Sequence, residues 1–147
     1  MMDASKLEAE GWERVPTASF SAKIGPTWMK GKIPEIVVGV IPDKEATNEN
    51  LGIIHGGALM TFADIAFGIA VSEVLGHAFC VTVQLQFHFV SVGQADSFIT
   101  CAPEIVRRTR QLVFVRGMFV SDGRVIGSAD AIFKVLDMPE PSKLKAG

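Results

Sequence analysis

Hydrophobic and polar positions change rhythm along the chain. Between Gly56 and Val71 only Thr61 and Asp64 are polar, with no two-residue alternation. That run is too long for a strand, rich in alanine and free of proline, so it predicts a helix over Gly57–Leu75, ended by Gly76. Farther on, "FCVTVQLQFHFV" does alternate. Val81, Val83, Leu85, Phe87 and Phe89 oppose Thr82, Gln84, Gln86 and His88, the pattern of a half-buried strand. "DSFITCAPEIVRR", "RQLVFVRGMFV" and "RVIGSADAIFKVL" continue as strands, the last two joined by the turn "SDGR". Ahead of the helix, "ASFSAKIGPTWMK" and "EIVVGVIP" read as strands separated by "KGKIP", followed by the polar loop "DKEATNENLG". A short helix is expected near residues 4–12 and a frayed tail over 138–147.

A helix apolar on nearly every face must be surrounded. Strands that follow strands favour an antiparallel sheet. The expected fold is therefore α+β: a curved antiparallel sheet, with four strands after the helix, wrapped around one long central helix in a single domain spanning 1–147.

Composition narrows the function. The chain has 147 residues, 48% of them hydrophobic, enough for one domain with a substantial core. A net charge of −2 and a pI near 5.9 argue against a nucleic-acid partner. "MMDASKLEAEGWERV" is polar and mixed in charge, unlike a signal peptide. The apolar run falls short of the roughly 20 residues of a membrane span and contains Asp64. A soluble, cytoplasmic protein is expected. Cys80 and Cys101 lie in separate strand-like segments without a CxxC partner and read as buried free thiols. His55, His77 and His88 show no metal-ligand spacing, so neither metal nor cofactor is expected.

Asp64 is the anomaly. On the helix it shares a face with Gly57, seven residues and about two turns earlier, and with Met60, Thr61, Phe67, Gly68 and Val71. Gly68, one turn on, leaves space beside the carboxylate. A buried, unpaired carboxylate is costly, and no basic residue lies within one helical turn. Either Asp64 faces solvent or bonds nearby backbone, or it is a general base or nucleophile in a pocket. Glu73 points about 180° away from it, which disfavours a two-carboxylate glycosidase. At the helix start, "HGG" places Gly56 and Gly57 where backbone N–H groups have no helical partner. Such groups can bind a developing oxyanion, or the glycines simply let the loop enter the helix. Gly56 and Asp64 are separated by about 12 Å along the helix, too far to act on one carbonyl. If both act, they come from different subunits of a homo-oligomer with composite sites.

"NLGIIHGGALMTFADIAFG" resembles the central motif of the hotdog-fold thioesterases, in the branch containing the phenylacetate-degradation thioesterase PaaI and the thioesterase superfamily member 2 proteins. "FSAKIGP", "CVTVQLQFHFV" and "RRTRQLVFVRGMFVSDGRVIGSADAIFKV" extend the likeness over about residues 18–136. The resemblance implies a sheet wrapped around a helix, dimers that assemble further into tetramers, and hydrolysis of acyl-CoA thioesters without metal or cofactor. It implies Asp64 as base or nucleophile, Gly56 as oxyanion donor through its N–H, and Thr82 in place of a serine that holds the attacking water. The family's asparagine before "LG" falls on Glu49, flanked by Asn48 and Asn50, of which Asn50 is the candidate. His55 is weighed as a catalytic helper against a loop anchor, and the anchor is favoured.

Coenzyme A carries phosphates. Arg107, Arg108 and Arg110 crowd into "RRTR" and are its candidate contacts, with Arg116 and Arg124 nearby and Lys143 and Lys145 in the tail as weaker ones. Met60, Phe67 and Val71 line a candidate acyl pocket or belong to the core. The competing readings are an acyl-CoA-binding sensor or carrier, which has no need of Asp64, and a hydratase, whose catalytic histidine motif is not found.

Overall fold

The computed structural model describes residues 2–140. Lys143 and Lys145 and the end of the expected frayed tail lie outside them. The elements are α1 (Ala4–Ala9), β1 (Glu13–Val15), β2 (Thr27–Lys30), β3 (Val37–Val40), β4 (Thr47–Asn48), β5 (Ile53–Ile54), α2 (Gly56–Leu75), β6 (Cys80–Phe89), β7 (Ile99–Cys101), β8 (Glu104–Arg108), β9 (Leu112–Ser121) and β10 (Arg124–Val135). One antiparallel sheet runs β1-β2-β3-β7-β9-β10-β6, with β8 also on β9, and β4 pairs with β5 alone.

The long helix forms as expected. His55 caps its start and Gly76, in the left-handed conformation at φ 77°, ends it with its N–H on Ser72. At 20 residues α2 is long and apolar enough to cross a membrane by length and composition, one residue longer than expected. Its stripe of Ala58, Leu59, Phe62, Ala63, Ala66, Phe67, Ala70 and Val71 is instead buried in the protein core, against the inner face of the sheet. The expectation that every face is surrounded is half right. The opposite stripe, through Asp64, Ile65, Gly68, Ile69 and Ser72, is only partly buried.

Phe67 is fully buried, edge-on to Phe119 with ring centroids 5.9 Å apart. It belongs to the core and not to a ligand pocket, which corrects one expectation; Val71 is core as well. Gly117 makes the close fit possible. A Cβ there would lie 2.7 Å from the Cys101 sulfur and 3.2 Å from the Phe67 ring.

Other differences have local causes. The helix of residues 4–12 is only Ala4–Ala9. Residues Ser19–Ile24, read as strand, form a 3-10 helix entered through Ser19 at φ 53° and left through Gly25 at φ 118°. Five strands follow α2, because the strand "DSFITCAPEIVRR" is interrupted at Ala102–Pro103. Proline has no N–H for the ladder, yet β7 and the start of β8 keep one register on β9, Cys101 opposite Phe119 and Glu104 opposite Arg116, before a bulge at Ile105/Arg107.

The most consequential difference is in β6. Its alternation holds from Phe89 to Leu85, then slips at a bulge against Ile132/Phe133. Thr82 thereby pairs with the buried Phe133 on the helix side, while Val81 and Val83 are 45% and 54% exposed. A bulge re-aims side chains in this way. β6 also ends the sheet, with β10 as its sole strand partner among the described residues.

Candidate active site

Asp64 is half-buried on α2, and the bulge brings Thr82 to it: the Thr82 hydroxyl donates to Asp64 Oδ1 at 2.5 Å. Both line a cavity of about 600 Å³ with Gly68, Ile69, Ser72, Glu73 and Phe133, bordered by residues 15–18 ahead of the 3-10 helix, so Glu73, expected to point away from Asp64, shares its cavity. No lysine, arginine or histidine lines it. The carboxylate is therefore held by a hydroxyl and left without a counter-ion. A carboxylate so placed can accept a proton from water. Cys80 shares the cavity, its thiol pushed up by burial, lowered by a hydrogen bond with Ser72 and raised by the charge of Asp64. Ser72 and Cys80 were missed at the sequence level. Ser72 follows Asp64 by eight residues on the same helical stripe, which was the available signal.

The second candidate position, Gly56, is at the other end of β6. Gly56 opens α2 beside Phe89, whose ring a Cβ would meet at 3.4 Å, and lines a separate cavity of about 370 Å³. Among the described residues its N–H makes no hydrogen bond. Gly57 differs: its N–H donates to His55 Nδ1 at 2.9 Å. A Cβ on Gly57 would lie 3.2 Å from the same imidazole. The expectation that both glycines offer free donors is corrected to Gly56 alone. His55 takes the structural role favoured for it. Asn50 sits exposed in the turn between β4 and β5 and lines neither the Asp64 cavity nor the Gly56 cavity. Met60 is partly exposed on α2 and likewise outside that cavity.

The arginines do not form one patch. Arg108 Nη1 donates to the carbonyl of Val74 at 2.9 Å, satisfying the C-terminal end of α2. Arg107 precedes it in the strand on the opposite face, opposite Phe114, and Arg110 lies exposed in the turn before β9. Arg116 pairs with Glu104 at 3.1 Å on the outer surface, and Arg124 bonds the Val92 carbonyl. Among the described residues no three His, Cys, Asp or Glu side chains group as a metal site.

A family model described as Thioesterase superfamily matches residues 51–128, from the loop before "HGG" into β10. The chain belongs to the thioesterase superfamily. No curated protein matches it in sequence. Solved structures of the superfamily share its architecture, a hotdog fold in which an antiparallel sheet wraps a central helix. A hypothetical thioesterase protein of Streptococcus pneumoniae, determined with coenzyme A, has a TM-score of 0.67 and 20% identity over 87% of this chain and 99% of that one. Zebrafish thioesterase superfamily member 2 has a TM-score of 0.66 and 18% identity over 75% and 81%. A mutant of the phenylacetic acid degradation protein PaaI from Thermus thermophilus has a TM-score of 0.62 and 20% identity over 88% and 97%.

Proposed function

We propose that this thioesterase-superfamily chain hydrolyses acyl-CoA thioesters as a homodimer, with Asp64 as general base. The observation that carries the reading is the Thr82–Asp64 hydrogen bond in a cavity without a basic partner. Superfamily membership and a structural neighbour determined with coenzyme A support the substrate class.

Thr82 occupies one carboxylate oxygen and fixes the plane of the group. The other oxygen takes a proton from water as the water oxygen bonds to the thioester carbon. The carbonyl electrons move onto oxygen, and that oxyanion is met by the free N–H of Gly56 of the partner subunit, at the positive end of α2. Collapse breaks the carbon–sulfur bond. The thiolate leaves and the proton held by Asp64 returns to it, giving the acid and coenzyme A.

β6 supports the dimer: it is a long edge strand without lysine, arginine, aspartate, glutamate or proline, of the kind proteins otherwise cover or charge. Thr82 touches Asp64 near one end of this strand, and Phe89 touches Gly56 at the other. Two β6 strands pairing antiparallel about a twofold axis, Thr82 opposite Phe89 of the partner subunit, bring the half-sites together twice.

Thiol release from acyl-CoAs tests the proposal. Asp64→Asn is expected to lower turnover at least ~100-fold, the scale of losing a general base. Thr82→Val lowers it, and Thr82→Ser restores it. Tight acyl-CoA binding with no turnover by the wild type would overturn the reading in favour of a carrier.

A further inference from the structure

Gly68 lies in the middle of α2, where glycine costs about 1 kcal/mol relative to alanine. Elsewhere the glycines that abut the core have evident steric reasons. A Cβ on Gly117 would strike the Cys101 sulfur, and one on Gly39 would sit inside the Phe98 ring. Gly68 has no such neighbour: its Cβ would meet only Phe133 Cε1, at 3.9 Å. Nothing within the protomer excludes a side chain there. What its absence creates is room in the Asp64 cavity.

That room has a direction. The helix residues lining the cavity run from Asp64 through Gly68 to Ser72, about 12 Å of helix rise. Ile65, Ile69, Met29 and Phe133 flank this groove. Polar groups return at its far end, where Ser72, Glu73 and Cys80 line it. With no cation on its walls and the Glu73 carboxylate at its far end, the groove is unsuited to the phosphates of coenzyme A, and its apolar stretch between Asp64 and Ser72 suits an acyl tail. A length of about 12 Å matches an extended chain of about ten carbons at ordinary carbon–carbon bond lengths. An arylacetyl group would fill only the near half. Gly68 lies about 6 Å beyond Asp64, midway along.

Resting on the thioesterase reading, we infer that Gly68 is the specificity-determining position of a groove for unbranched medium-chain acyl groups. A side chain at 68 closes the groove at half length, so it discriminates by chain length without touching the reacting atoms. Leucine is the variant of choice because it is a good helix former and its Cβ has space, and alanine is the graded control.

The experiment compares butanoyl-, decanoyl- and phenylacetyl-CoA by thiol release in wild type, Gly68→Ala and Gly68→Leu. The wild type is expected to prefer decanoyl-CoA. Each methylene buried contributes a few-fold, so Gly68→Leu should lower the decanoyl-to-butanoyl ratio of kcat/KM by at least ~100-fold, with Gly68→Ala between. Active wild type that prefers phenylacetyl-CoA, or an unchanged ratio in Gly68→Leu, overturns the groove and leaves the thioesterase reading standing. Absence of turnover on every ester sinks the thioesterase reading instead. The groove is then decided by calorimetry with decanoyl-CoA, where Gly68→Leu must weaken binding at least ~10-fold on the same burial argument. Sedimentation accompanies each variant. A Gly68→Leu protein that turns monomeric would assign the glycine to close contact with the partner and overturn the inference.

Discussion

Gly56→Pro and Asp64→Asn make a matched pair of lesions. Proline at the first position of a helix is tolerated, because the N–H it lacks has no helical partner there. His55 precedes it at φ −67° and ψ 137°, a conformation suited to the residue before proline. The substitution thus deletes one donor and little else. Loss of an oxyanion donor costs about 10²–10³ in kcat, and loss of the base a similar factor, so each homodimer should be nearly silent. The distance between the two positions predicts what happens when they are mixed. They lie about 12 Å apart along α2, beyond the reach of one carbonyl. A heterodimer of the two variants concentrates both lesions in one composite site and leaves the other intact. After unfolding and refolding together at 1:1, random pairing makes half the dimers mixed, each with one working site of two, so activity should recover to about a quarter of wild type. The assay is thiol release before and after co-refolding, with each variant refolded alone as control. Recovery no greater than the sum of the two controls would mean that Gly56 and Asp64 do not act on one thioester across subunits.

Phe67→Ala should lower unfolding free energy by about 3–5 kcal/mol, the scale for a core aromatic, read by urea titration; a loss under about 1 kcal/mol would return Phe67 to a ligand pocket. Burial pushes the Cys101 thiol up to about 12, so at pH 8 only about one part in ten thousand is thiolate. Iodoacetamide should label Cys80 first and Cys101 only on unfolding, as followed by mass spectrometry. Asp64 raises the Cys80 thiol through its charge, so Asp64→Asn shifts that thiol down, leaves more thiolate at a given pH, and should speed Cys80 labelling.

The helix was legible because two signals agree in it, a long unalternating apolar run and a glycine past its end. Asp64 stood out for the same reason, as a charge where burial should have forbidden one. Thr82 was legible only through resemblance to a family. Simple alternation assigns it to the polar face of its strand, and the bulge that reverses it depends on how β10 pairs alongside. The 3-10 turn at Ser19–Ile24 was hidden behind a short stretch whose alternation imitates a strand. The arginines show a further limit: adjacency in "RRTR" suggested a patch, but a strand sends neighbours to opposite faces, and Arg108 is engaged by the end of α2. The outer surface carries a small cluster that no local pattern announces. Leu7 and Trp28 are buried there and Trp12 meets Phe98 edge-on at 5.0 Å, all brought together by the sheet.

β6 holds one half-site near each end and leaves its outer edge bare. If the sites form across the proposed dimer, a solitary chain would own two incomplete sites and no complete one. Its rate law would then report encounters: below the dissociation constant of the pair, turnover per volume would scale with the square of chain concentration. A cell making few copies would keep its thioesters intact, and a modest rise in expression would switch hydrolysis on more steeply than the amount of protein.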